Sequence, residues 1–536
     1  MGALAAAACV LPIASLQAVS LVDVMSETGT ENLPHDVQVS LTFDEAISVG
    51  NSGTIKVFDA SGGEVVSIDM SASTHSKNVG GTSSAYRYNY DPVVVDGNTA
   101  YIAFQTNSLS YGQTYYVTVD SGVIVDSEEQ PFAGISDDET VRFSTRAEAL
   151  PTGLEAVTVA QDGSADFATI QSAIDYAPRS RTTPFHINVM NGTYRELLRV
   201  ESNKPFIQIN GESTEGVVIK YLNNANRGNG SSSRALLRID AGDFVMSRVT
   251  MINTTPEGGS QAETIENRRD RVVIRDSAFY SYQDTIRFNG SVYVYNSYIE
   301  GDVDYIWGEG KAYFEDCTIH SNDSGYITQI RNDATRRGFV FVDCTLTADD
   351  GVDDVWLSRI NPGEYPGSEV VFINTQMGSH INEQGWLLNN ADTAPTIRFV
   401  EYNSTDLEGE SLDLSGRLAD ATTGELPAET DYTNPEWVLD WDPMGRTFTA
   451  AQYMHNAQGW SWYPALGWIY DYSEGASDAY DWYYSTRFET AVWVEPDTAD
   501  SVYAYVHGEN YNTWLWGSLD HPHWLWNFAT QSWEFH

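Results

Sequence analysis

Cysteine and lysine are the scarce residues of this chain, and each scarcity excludes something. Three cysteines, Cys9, Cys317 and Cys344, in 536 residues cannot form the disulfide framework of a small secreted scaffold. Lysine occurs five times and all basic residues 29 times, against 75 carboxylates, for a formal charge of −46. That balance argues against nucleic acid or an anionic membrane as a partner. The charge is spread along the chain, so the surface suits a medium whose salt screens its self-repulsion. No segment after the first eighteen residues approaches the run of about 18 apolar residues that a membrane span requires. No G-x-S-x-G nucleophile elbow is present, and with it goes the commonest serine-hydrolase signature. The length is ample for two to four domains.

Residues 1–18, MGALAAAACVLPIASLQA, are small and apolar and end in a plausible cleavage site after Ala18. They read as a signal peptide whose basic n-region is missing, as if its start were truncated. A secreted or cell-surface protein, extracellular or periplasmic, is therefore expected. From 19 to 147 the chain reads as all-β: Val37, Val39, Leu41 and Phe43 alternate with polar residues, as do Val117 and Val119, with Gly/Ser/Asp turns between such runs. This span resembles a bacterial immunoglobulin-like domain, which implies a β-sandwich acting as a spacer or adhesion module.

At residue 160 the texture changes to AQDGSADFATIQSAIDYAP. Asp166 is a candidate cap for a helix with Ile170, Ala173, Ile174 and Ala177 on one face, ended by Pro178. Beyond it one unit recurs as VVIRDSAF, VYVYNSYI, AYFEDCTI, VFVDCTL and VVFINTQM. Ser277, Ser297, Cys317, Cys344 and Thr375 hold equivalent places in it, at intervals of 20, 20, 27 and 31 residues. A period near 20 with strand-like units and variable loops predicts a right-handed parallel β-helix over 153–444. Cys317 and Cys344 would then be packed thiols in an interior column.

Twelve of the fifteen tryptophans lie between Trp437 and Trp533, in phrases such as 459-GWSWYPALGWIYDY-472. Residues 446–536 therefore read as a small β module of aromatic hairpins. Its rings either stack on a polysaccharide or simply fill a core.

Asp284 and Asp304 each interrupt strand-forming residues, in 282-YQDT-285 and 301-GDVDYIWG-308. Twenty residues apart, they should occupy the same face of neighbouring coils, about 4.8 Å apart in backbone spacing. Carboxylates that close cannot both ionise freely, so one is expected to be a nucleophile or base and the other a protonated acid. Paired carboxylates also cleave glycosidic bonds, so ester and glycosidic chemistry both remain open here.

Read in order, VAQDGSADFATIQSAID, NGTYRE, Gln261-Ala262, YQDT, GDVDYIWG, the Leu-Ser-Arg at 357–359 and FVEYNST at 399–405 resemble the pectin methylesterase family. The resemblance covers 153–444 and implies carbohydrate esterases on a right-handed parallel β-helix, acting on pectin as monomers without metal or other cofactor. It implies Asp304 as nucleophile, Asp284 as acid and then base, Gln283 and Gln261 as oxyanion donors, and Arg359 as the partner that keeps Asp304 ionised. It also implies aromatic contacts to sugar, for which Trp386, Trp307, Tyr282 and Tyr305 are the candidates. The family's usual Leu-Gly-Arg-Pro-Trp is 357-LSRINP-362 here, which keeps the arginine and loses the tryptophan. A β-helix lyase or glycosidase, and an inactive carbohydrate-binding or cell-surface protein, are the alternatives. The Gln261, Gln283, Asp284, Asp304 and Arg359 set favours ester hydrolysis over both.

Overall fold

In the computed structural model, residues 19–443 are described apart from 26–28, 82–86, 106, 228–232 and 390–395, and beyond 443 only the strands, as backbone. The expected signal peptide, 1–18, lies outside the described residues.

The chain divides into two units, 1–75 with 90–148, and 76–89 with 149–536. In the first, two four-stranded sheets face each other. Leu21–Val24, Val39–Phe43, Thr99–Ile102 and Val93–Asp96 form one, and Arg142–Ser144, Thr114–Val119, Thr54–Asp59 and Glu64–Asp69 the other. All their pairings are antiparallel. Val39, Leu41, Phe43, Val117 and Val119 are buried in one core, because alternation sends every second side chain of a strand to the same face. The hairpin of Ser76–Asn78 and Arg87–Asn89 groups with the second unit, where Asn89 donates to the carbonyl of Arg227 at 2.5 Å.

The second unit is a parallel β-helix. Ten strands from Ala156–Val159 to Arg398–Tyr402 stack in parallel as one face. The other strands form a 14-stranded sheet in two runs, which merge in the long strands Tyr298–Gly308 and Thr318–Ile330. Those two strands carry the chain through the coils that hold Asp304 and its partners. Helix Ile170–Tyr176 packs against the first coils. Its cap is Thr169 and not Asp166; the Asp166 carboxylate instead accepts from the Thr158 amide at 2.9 Å, tying the loop to the first strand.

The repeat unit of the sequence is a turn. Asp276, Asn296, Asp316, Asp343, Asn374 and Asn403 all have φ between 50° and 53° apart from Asn296 at 44°. Asn and Asp tolerate that left-handed backbone better than other side-chain-bearing residues. The next residue turns inward, and at five of the six its hydroxyl or thiol bonds the carbonyl two residues back: Ser277 to Arg275 at 2.8 Å, Ser297 to Tyr295 at 2.8 Å, Cys317 to Glu315 at 3.3 Å, Cys344 to Val342 at 3.4 Å, Thr375 to Ile373 at 3.2 Å; Ser404 donates to the Glu401 carboxylate instead, at 3.0 Å. Cys317 and Cys344 are buried free thiols in that column, as expected. Inside the coils Phe314, Phe341 and Phe372 stack with centroids 4.4 and 4.6 Å apart. The outer face of the ten-stranded sheet is covered by helices Glu429–Tyr432 and Pro435–Leu439, with Tyr432, Val438 and Leu439 buried against it. Trp441 donates from its indole to Ser291 at 2.9 Å.

From Met454–His455 to Ser532–Phe535 nine strands follow one another as an antiparallel meander. Whether their tryptophans face solvent or core concerns side chains outside the description.

Candidate active site

Strand register places the acidic residues. Ile286 pairs with Ile306 and Arg287 with Trp307, so Asp284 and Asp304 fall opposite each other on adjacent coils. The same register one coil earlier pairs Ile265 with Ile286, which sets Glu263 opposite Asp284. Three carboxylates therefore stand on three successive coils. Asp284 and Asp304 both take left-handed backbone, with φ of 65° and 50°, which turns each side chain out of the strand's ordinary alternation. Both remain buried, at 7% and 5% exposure.

Their surroundings differ. Arg359 grips Asp304 with two donors, Nε to Oδ1 at 2.7 Å and Nη2 to Oδ2. Gln329 adds Nε2 to Oδ2 at 2.8 Å, and Arg331 donates to Gln329 Oε1 at 2.8 Å, which fixes the amide with its N–H toward the aspartate. Burial pushes the Asp304 carboxyl up, and Arg359 and Arg331 hold that rise in check. Arg359 thus limits the desolvation of Asp304 without cancelling it. Asp284 has one donor, Arg234 Nη2 to Oδ2 at 2.7 Å. Burial, then the Glu263 charge, push it well above the usual carboxylate range; Arg234 opposes them, Asp304 adds to the rise, and Arg331 also opposes. Burial raises both carboxyls, Asp284 well above the usual range with carboxylate neighbours on adjacent coils, and Asp304 against the donors of Arg359 and Gln329.

Gln261 and Gln283 are half-buried beside this pair, on the coil before Asp284 and on its own coil. Gln261 Oε1 accepts from Ser260 at 3.1 Å, which leaves its amide N–H groups as donors. Trp307 is 5% exposed and ringed by guanidiniums, with Arg287 4.4 Å, Arg331 4.9 Å and Arg234 5.5 Å from its ring centroid. Tyr282 is half-buried next to Gln283.

Two of the aromatic candidates are elsewhere. Trp386 pairs in register with Ser358, on the interior face, and is 3% exposed between Phe372 and Phe399 at 6.1 and 5.3 Å. Its surroundings are those of a core residue. Tyr305 is fully buried, its hydroxyl 2.9 Å from that of Ser321, because the turn at Asp304 sends the following side chain inward. Sequence reading missed Glu263, Arg234, Gln329 and Arg331. Glu263 was within reach, since 21 residues separate it from Asp284, one coil by the same period that pairs Asp284 with Asp304. Among the described residues no group of three or more His, Cys, Asp or Glu side chains converges as metal ligands would.

A parallel β-helix that stacks a clamped carboxylate beside a second one of raised pKa is an arrangement suited to hydrolytic chemistry through two acids. The chain belongs to the pectinesterase family, whose family model matches residues 156–427; a second model, bacterial Ig-like domain, matches 17–145. Pectinesterase 31 of Arabidopsis thaliana is 30% identical over 302 residues, 53% of this chain and 94% of that protein. Pectinesterase 2 of Olea europaea is 28% identical over 326 residues, 58% of this chain and 87% of that protein. Among solved structures, the pectin methylesterase from carrot aligns over 55% of this chain and 95% of its own, at 22% identity and a TM-score of 0.49. That of Erwinia chrysanthemi aligns over 55% and 99%, at 24% identity and a TM-score of 0.45. No helix among the described residues is long and apolar enough to cross a membrane.

Proposed function

We propose that this chain is a pectin methylesterase that hydrolyses the methyl esters of galacturonate units in pectin, releasing methanol and de-esterified polymer. The observation that carries the reading is the unequal treatment of Asp304 and Asp284, in a chain of the pectinesterase family. An Asp304 oxygen attacks the ester carbonyl carbon, and the carbonyl electron pair moves onto oxygen. Gln261 and Gln283 donate to that oxyanion, each donor being worth about 3 kcal/mol in comparable sites. Collapse breaks the bond to the methoxy group, which leaves as methanol with the proton of Asp284. An acyl-enzyme anhydride remains. Water then gives a proton to Asp284 as its oxygen attacks the acyl carbon, and collapse returns Asp304 as carboxylate and the sugar as free acid, which ionises in solvent.

Gln329 and Arg359 hold Asp304 in one orientation, so little reorganisation is needed at attack. Tyr282, half-buried, is the more accessible of the remaining aromatic candidates to meet sugar, and Trp307, 5% exposed, lies among guanidiniums beside the acids. Such a polymer is met outside the cell, in keeping with the reading of residues 1–18 as an export signal. The immunoglobulin-like unit serves as spacer or adhesion module, and residues 446–536 as a second point of attachment to polysaccharide.

The test is methanol release from highly methylated pectin by the purified protein. Methanol without new reducing ends or unsaturated uronides is expected. Chain cleavage without methanol would replace this reading with a lyase or glycosidase.

A further inference from the structure

The mechanism as described uses two of the three stacked carboxylates. Glu263 is the third, 1% exposed, and Arg234 is bound to it by Nε at 2.8 Å to Oε1 and 2.7 Å to Oε2. The same guanidinium reaches on through Nη2 to Asp284 at 2.7 Å. A cation hydrogen-bonded to the acid of a reaction creates a conflict: it orients the carboxyl but favours losing the proton the acid must keep. A buried anion on the far side of that cation resolves it, because an Arg–Glu pair carries no net charge. We infer that Glu263 neutralises Arg234, so that Arg234 can position Asp284 by hydrogen bonding without stripping its proton. Glu263 and Arg234 are positioning residues that act through Asp284, and the inference rests on Asp284 being the acid.

Other charges face this group. Asp304, held by Arg359, and Arg331 approach Asp284 from the next coils, and Glu266 lies near both Arg234 and Glu263. Within the triad Glu263 accepts two bonds from the guanidinium and Asp284 one. Asp284 has carboxylates on both neighbouring coils, Glu263 and Asp304, which favours its protonated form. Burial, the cause common to both, raises Glu263 and Asp284 alike, and Arg234 opposes it at each.

The test is a pair of isosteric variants with opposite expected signs. Glu263→Gln leaves the arginine charge unopposed, so the alkaline limb of the kcat/KM profile, which reports the essential acid of the free enzyme, should move to lower pH by about one unit. Arg234→Gln removes the hydrogen-bonded cation, and the limb should move to higher pH. The double variant should return it toward the wild-type position. A merely structural pair would lower activity without displacing the limb, and limbs that stay in place or move in the same direction overturn the inference. A readout free of catalysis separates it from the esterase reading: infrared titration of the protonated carboxyl band, assigned by its loss in Asp284→Asn. That band should persist to higher pH in wild type than in Glu263→Gln. If wild type released no methanol, the esterase reading would fall while this titration still decided the role of Glu263.

Discussion

Asp284 and Asp304 hold backbone conformations that a β-branched residue would adopt only with strain, and this local exception lets two acids leave the plane of the sheet. Asp304→Asn keeps the shape and removes the attacking charge, so methanol release should fall to background while the thermal midpoint changes little. Asp284→Asn should lose about 10²–10⁴-fold in kcat, the ordinary contribution of a positioned acid. A variant of Asp304 retaining substantial turnover would remove it from the nucleophile's role. Trp386 belongs to a different ledger. Buried between Phe372 and Phe399, its replacement by alanine should destabilise the protein by about 3–5 kcal/mol, read by denaturant unfolding, and leave KM of the surviving folded enzyme near wild type. A raised KM with unchanged stability would restore it to the sugar site. The period near 20 made the stacked aspartate pair legible in the sequence, but the facing of aromatic residues was not. A one-residue change of phase moves a side chain from groove to core, and only the register settles the phase of Trp386 and Tyr305.

At the scale of elements, the repeated turns explain why the β-helix could be read from its recurring units. The left-handed Asn or Asp and the small inward residue after it are both visible as D-S, N-S, D-C and N-T. What the sequence hides is how those turn residues treat each other. Asn296 donates to Asp276 at 2.8 Å, Asn374 to Asp343 at 3.0 Å and Asn403 to Asn374 at 3.1 Å, a ladder along the edge of the coils. The ladder is interrupted where Asp316 meets Asp343, and burial, then that neighbouring charge, raise the Asp316 carboxyl. A carboxyl raised on folding contributes stability below its unfolded pKa and loses it as pH rises through the folded value. Asp316→Asn should therefore stabilise the protein at neutral pH, by up to about 1 kcal/mol for directly opposed like charges, and the gain should vanish in acid. Thermal midpoints of the two proteins across pH check this, and an equal difference at both extremes would show that charge is not the cause. The helix cap is the counter-example at this scale. Asp166 and Thr169 both suit a cap, and tertiary bonding of Asp166 to Thr158 decides between them.

At the scale of the whole molecule, a charge of −46 is set against a site in which the guanidiniums of Arg234, Arg287, Arg331 and Arg359 gather around Trp307 and Asp304. Each turnover turns a neutral ester into a carboxylate. The acidic charge of the chain repels the polymer that carries it. Screening acts over about 8 Å at physiological ionic strength, so salt should relieve the surface repulsion more than it weakens contacts within the buried site. KM for polymeric pectin should accordingly fall as salt rises from low values, and KM for short methylated oligomers should change little. The nine-stranded C-terminal meander bears on the same balance. Stacking on sugar is little affected by ions, so an aromatic module that binds polysaccharide would hold the enzyme on its substrate most usefully where repulsion is strongest. A cut after residue 445 spares Trp437 and Trp441, which belong to the cover of the β-helix. Deleting 446–536 should then raise the polymer KM most at low salt and leave oligomer kinetics unchanged. Superimposable polymer kinetics with and without the module across a salt series would assign it a structural or surface-attachment role instead.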